Sequence, residues 1–219
     1  MTVLCLTGWQ QPANALANIV PDAVHFDYGA YDNVKNMFEA LPKAPRLAIG
    51  WSLGGQLLVR AIAGGHIKPA SLMLLGVPFQ WVADAQFTEG VPAEAVSDIK
   101  ANYARDPQAM LKNFNALIAL NDKHEKQILR VLNKSVRVWP NGMYWRDELA
   151  RTSCVAFNFS DFPPTTIIHG TEDKVIRPIN AKAFAERLPQ AELLLWPHCA
   201  HAPHLHDAPA LTQIVNRYV

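Results

Sequence analysis

The segment LAIGWSLGGQLLVRAI, Leu47 to Ile62, joins a short apolar run to a stretch whose apolar residues recur at the helical period. At the junction Ser52 stands between Gly50 and Gly54, in the pattern G-x-S-x-G. On a strand-to-helix turn this pattern has a steric reason. The backbone passes too close to its surroundings for side chains at the flanking positions, and the tight turn lifts the hydroxyl out of the end of the sheet. The helix that follows directs its first amides toward the same point, where negative charge is stabilised. These constraints make Ser52 a candidate nucleophile rather than an ordinary turn serine.

An alcohol near neutral pH needs a base, and the base needs a carboxylate to hold its tautomer. The expected chain order is serine, acid, histidine. After a later apolar run, IIHGTEDKVIRP offers Glu172 and Asp173. Gly170-x-x-Asp173 followed by Val175 favours Asp173 and leaves Glu172 as a solvated side chain. After the last apolar run, WPHCAHAPHLHDAP holds His198, His201, His204 and His206. His201 is the preferred base because it lies a few residues beyond the strand end, with His198 in reserve. Four clustered histidines invite a zinc reading, but no H-E-x-x-H helix and no cysteine or carboxylate cluster completes it, so neither metal nor cofactor is expected. The donors for a tetrahedral oxyanion would be the amides of Leu53, after the serine, and Trp9, in the loop after the first strand. Trp9 is also read as a buried packing aromatic; both roles are compatible, since only its amide is required.

Six runs read as strands buried on both faces: Val3 to Leu6, Val24 to Phe26, Leu47 to Ile49, Leu72 to Leu75, Thr166 to Ile168 and Leu193 to Trp196. Helical patterns cover Val34 to Leu41, Leu53 to Ala63, Asn180 to Leu188 and Ala210 to Tyr218. This alternation implies an α/β fold with a mainly parallel sheet of about six strands flanked by helices. It breaks between Phe79 and Ser153, where only helical patterns occur. The expected organisation is therefore a core formed by residues 1–78 and 154–219 with a helical cap insertion at 79–153. Between Lys100 and Arg137 eight basic residues face three acidic ones, a local net charge of +5. The whole chain of 219 residues carries only +1, which argues against bulk nucleic-acid binding. No apolar run approaches the ~20 residues of a membrane span, and no secretory signal is recognisable at the start. Cys5, Cys154 and Cys199 suit reduced, buried thiols and a cytoplasmic location.

With these residues in place, the chain resembles the α/β-hydrolase superfamily over nearly its full length. Within it, the resemblance is to the pimeloyl-[acyl-carrier protein] methyl ester esterases of biotin synthesis. It is carried by TGW at Thr7 to Trp9, GWSLGG at Gly50 to Gly55, the G-x-x-D loop ending at Asp173, and AHAP at Ala200 to Pro203. The resemblance implies that Phe114 and Leu117, three residues apart in NFNALIAL, help line an acyl channel together with Trp9 and Leu53. It also implies that Lys126 and Arg130 bind an acyl-carrier protein. By themselves, Phe114 and Leu117 read equally as cap core, and Lys126 and Arg130 as a solvated helix face. Two features depart from the family: Thr7 stands where a histidine is usual, and one or two strands normally found before Val3 have no counterpart.

The expected activity is a serine carboxylesterase working through an acyl-enzyme, as a monomer; the resemblance implies the methyl ester of pimeloyl-[acyl-carrier protein] in biotin synthesis as its substrate. Two other readings share the residues: a general small-ester carboxylesterase or acyl thioesterase, and a non-catalytic binding protein of the same fold.

Overall fold

A computed structural model describes residues 2–219. Each apolar run forms a strand: β1 Val3–Leu6, β2 Val24–His25, β3 Leu47–Trp51, β4 Ser71–Leu75, β5 Thr165–Gly170 and β6 Ala191–Trp196. They build one sheet in the order β2-β1-β3-β4-β5-β6, with every neighbouring pair parallel. Strands covered on both faces tolerate continuous apolar sequence, and β1, β3 and β5 are buried along their whole length. The expectation of two-sided burial fails for β2 and β6. These strands are the sheet's edges, so Val24 is 41% exposed and β6 contains no fully buried residue.

The helical patterns become α1 Val34–Ala40, α2 Leu53–Ala63, α7 Ile179–Arg187 and α9 Ala208–Val215. α9 begins two residues before its pattern because Asp207 caps it, accepting a hydrogen bond from the Ala210 amide at 3.0 Å. A single turn, α8 Pro203–His206, precedes it. Between β4 and β5 the chain runs through α3 Ala93–Arg105, α4 Pro107–Ala119, α5 Glu125–Lys134 and α6 Gly142–Arg151. An antiparallel bridge between Gln80 and Ser153 closes the neck of this segment. On its inner side, the fully buried Glu148 of α6 meets Arg60 of α2 at 2.7 Å and also pairs with Arg151. Removing one member of such a pair leaves an uncompensated buried charge.

The chain starts in β1, crosses to β2, then returns to β3 on the other side of β1. Such a reversal opens a crevice at the carboxyl ends of the strands. Trp9 follows β1, and Ser52 follows β3, so both stand at that crevice. The turn into α2 is tight. A Cβ on Gly50 would lie 2.2 Å from the Gly55 Cα, and one on Gly54 would lie 2.4 Å from the Leu6 carbonyl oxygen. Backbone cannot yield as a side chain can. Gly54→Ala should therefore cost about 3 kcal/mol or more, read as a drop in the urea midpoint with an unchanged slope; a loss under 1 kcal/mol would contradict this packing.

Candidate active site

Ser52 holds φ 53° and ψ −124°, a conformation rare for a residue with a side chain, and its own side chain caps nothing. The position is set by its neighbours: its amide donates to the Leu75 carbonyl at 2.9 Å, and its carbonyl receives the Gly55 and Gln56 amides. Leu53 is the first residue of α2, so its amide lacks an intrahelical partner. Gly8 lies against the turn, its Cβ position 3.5 Å from the Ser52 Cβ, which brings the Gly8-Trp9 peptide beside the serine. Among the described residues the Trp9 amide donates no hydrogen bond. The Trp9 indole is buried and donates to the Gly142 carbonyl at 2.6 Å, so the packing role expected for this side chain is present.

Asp173 and His201 meet at the ends of β5 and β6, fully buried, with Oδ2 2.7 Å from Nδ1. Oδ1 accepts the Val175 and Ile176 amides at 2.9 and 2.8 Å. His169 Nε2 lies 3.1 Å from Oδ2 and 2.8 Å from the Ile176 carbonyl. Burial acts to raise the Asp173 carboxyl; His201 and hydrogen bonding from His169 and His201 outweigh it and hold the group well below the usual carboxylate range. An ionised carboxylate only accepts, so His201 donates from Nδ1, and in the neutral tautomer this leaves Nε2 as the acceptor. That Nε2 is buried and has no hydrogen-bond partner among the described residues. Gly76, at φ +55°, supplies the floor of the pair: a Cβ there would lie 3.2 Å from His201 Nδ1 and 3.4 Å from Asp173 Oδ2. The Trp51 indole donates to the His201 carbonyl at 2.8 Å, tying the residue before Ser52 to the histidine loop.

The other candidates lie elsewhere. His198 is exposed and Glu172 half-buried beside Lys174. The four histidines do not converge: His206 pairs with Asp122 at 3.0 Å, and His204 packs on Trp51 with ring centroids 4.4 Å apart. Asp122, Cys199 and His206 do bring three possible ligand atoms within 4.8 Å. Asp122 is already engaged, accepting the Ala200 and His124 amides as well as His206, and the Cys199 thiol points to the Ala200 carbonyl. Burial raises all three thiols, with Cys5 pushed up to about 12, so none is a ready thiolate.

A cavity of about 590 Å³ lies between α3 and α4, with Trp81, Ile99, Met110, Phe114, Leu117 and Val175 on its walls. Ser52, Trp9 and Leu53 do not line it. Phe114 stands between the two places, half-buried, its ring edge-on to Trp9 at 5.5 Å. Leu117 is 37% exposed. Lys126 and Arg130 are exposed on α5, and among the described residues neither makes an ion pair.

A model of the alpha/beta hydrolase family matches residues 4–212. The chain belongs to the alpha/beta hydrolase family. Within the family it is 31% identical over 192 residues to the pimeloyl-[acyl-carrier protein] methyl ester esterase of Aromatoleum aromaticum, covering 81% of this chain and 77% of that one. It is 29% identical over 187 residues to the protein of the same name from Nitrosomonas europaea, covering 80% and 73%. An esterase from Exiguobacterium antarcticum superposes with a TM-score of 0.84 over 100% of this chain and 91% of its own, at 16% identity, a likeness of fold.

Gly76, Trp51, His169 and Asp122 all support the site, and sequence reasoning passed over them. Gly76 had a signal, a glycine directly after a buried strand; Asp122, within LNDKHE, looks like a solvated turn.

Two outcomes follow from the histidine cluster. Burial, aided by His201, lowers His204 from 6.5 to about 3. The unfolded chain then binds the extra proton first, so stability falls as pH drops below about 6.5. His204→Phe should remove roughly 2 kcal/mol of the loss between pH 7 and pH 4.5, measured by urea unfolding at both; an unchanged pH slope would contradict a neutral, buried His204. Ester hydrolysis should survive prolonged dialysis against a strong chelator, whereas chelator-sensitive activity restored by zinc would assign the Asp122, Cys199 and His206 cluster to a metal.

Proposed function

We propose that the protein is a serine carboxylesterase in which Ser52 is the nucleophile, His201 the general base and Asp173 the acid that orients it. The observation that carries this reading is the buried Asp173 and His201 pair, with Nε2 unpartnered, at the crevice where the Ser52 turn stands. Ser52 Oγ attacks the ester carbonyl as His201 Nε2 takes its proton. The amides of Leu53 and Trp9 hold the oxyanion, His201 returns the proton to the leaving alcohol, and water then attacks the acyl-enzyme by the same route. Ser52 and His201 do not hydrogen-bond in this structure, and contacts of this kind tighten as the reacting complex forms.

The substrate we propose is the methyl ester of pimeloyl-[acyl-carrier protein], with methanol as leaving group. Three observations support it: the names of the relatives, the apolar cavity beside Phe114 and Leu117, and the exposed cations Lys126 and Arg130, which form no ion pair among the described residues. In this reading the helices of residues 79–153 act as a cap that receives the acyl chain and meets an acidic carrier. Among the described residues no helix is long and apolar enough to cross a membrane. In the same reading the protein acts in the cytoplasm, as a monomer and without cofactor or nucleic acid.

Ser52→Ala should reduce hydrolysis of p-nitrophenyl esters by about 10⁴-fold or more, with an unchanged far-UV circular dichroism spectrum; full activity would end the proposal. Lys126→Glu with Arg130→Glu should lower kcat/KM for the carrier-bound methyl ester at low salt and leave a small free ester untouched, because peripheral charges act on encounter. Equal losses on both substrates would trace the effect to the cap's fold, and no loss on either would remove Lys126 and Arg130 from the carrier site.

A further inference from the structure

Gln10 is the residue after Trp9, and its backbone is left-handed at φ 59° although it carries a full side chain. It is 3% exposed. Its side-chain amide reaches out of the core loop and makes two hydrogen bonds, one with Tyr103 of α3 and one with Trp139 in the stretch between α5 and α6. Oε1 accepts the Trp139 amide at 2.9 Å, and Nε2 donates to the Tyr103 hydroxyl at 2.6 Å. The Trp139 amide can only donate, which settles the orientation of the Gln10 amide. α6 begins with a glycine to admit this side chain, since a Cβ on Gly142 would lie 1.8 Å from Gln10 Nε2. On either side of Gln10 the same loop is tied to the insertion: the Trp9 indole donates to the Gly142 carbonyl, and Gln11 Nε2 donates to Asn115 Oδ1 of α4 at 3.2 Å.

The Trp9 amide is therefore bracketed. On one side Gly8 is packed against the Ser52 turn, and on the other Gln10 is held in a left-handed conformation by groups of the insertion. A left-handed glutamine persists only where its surroundings over-determine it. We propose that Gln10 is a positioning residue that transmits the seating of the inserted helices to the Trp9 amide, so that this oxyanion donor is aimed only when the insertion is docked. This rests on the reading of Ser52 as nucleophile and Trp9 as oxyanion donor.

The test uses the full-length protein, a small p-nitrophenyl ester and a trifluoromethyl ketone, whose hemiketal adduct with a serine carries the oxyanion. Gln10→Asn and Gln10→Gly both accept a left-handed backbone, and neither reaches Trp139 and Tyr103. Gln10→Gly also relieves the steric strain, so a folded protein is expected. Both should lower kcat about 10-fold to 100-fold, with KM within two-fold and ketone affinity weakened by the same factor as kcat/KM. Tyr103→Phe, which removes only one end of the tie, should show a smaller fall in kcat and in ketone affinity, with KM again within two-fold. Folded Gln10 variants that keep kcat and ketone affinity within two-fold of the parent would overturn the proposal. So would a fall in kcat with unchanged ketone affinity, because the loss would not lie in oxyanion binding. A Ser52→Ala control separates the two failures: inactive Ser52→Ala beside fully active Gln10 variants removes Gln10 alone, whereas active Ser52→Ala removes the underlying reading and this one with it.

Discussion

The contact on which everything else depends is between backbones: Gly50 on Gly55 within the turn, and Gly54 on the carbonyls of Leu6 and Thr7 at the end of β1. Side chains at these glycines would push β1, β3 and α2 apart. Because they are missing, α2 starts directly over the sheet, with Leu53 through Val59 buried. The same closeness forces Ser52 into its left-handed turn and brings the Gly8-Trp9 peptide alongside. One steric condition thus sets the serine, the helix amide beside it and the loop that faces it.

The remaining parts come from strand ends on the far side of the crevice. Leu75 holds the Ser52 amide, Gly76 makes room for the histidine, β5 delivers Asp173, and β6 delivers His201. Residues 79–153 do not merely lie over this arrangement. The Ile118 carbonyl takes the His201 amide, Asp122 takes the Ala200 amide, and the Lys123 amide donates to the His198 carbonyl. On the opposite side Trp9, Gln10 and Gln11 are bound to α3, α4 and the start of α6. The chemistry we assign to the core therefore shares its supports with the part that we assign to substrate choice. A change in residues 79–153 reaches both the loop of His201 and the loop of Trp9 through hydrogen bonds.

What the sequence made legible follows from which constraints are local. The glycines around Ser52 and the apolar runs are local signals, and α2 and β1 come out at the residues their patterns indicated. The preference for Asp173 over Glu172 rested on the spacing after Gly170, and that for His201 over His198 on its distance beyond β6; the structure brings Asp173 and His201 together and leaves His198 exposed. The two-sided burial of β2 and β6 was misread because edge position is a property of strand order, which hydrophobicity does not encode. Gln10 and Asp122 were invisible for a similar reason. Both are polar residues in loops, and only the packing of distant helices turns them into buried struts. The cavity between α3 and α4 arises from how two helices cross, and from sequence only two of its residues, Phe114 and Leu117, were marked, through resemblance.

The central claim is that Ser52 is the nucleophile, and covalent labelling addresses it most directly. The protein would be treated with a fluorophosphonate at a one-to-one ratio, and the adduct located by intact mass and peptide mapping. The account predicts one adduct, on Ser52 in the peptide spanning Leu47 to Arg60, forming in step with loss of esterase activity and absent when the protein is first unfolded in urea. Complete inactivation with the label on any other residue, or persistent hydrolysis with Ser52 fully labelled, would contradict it.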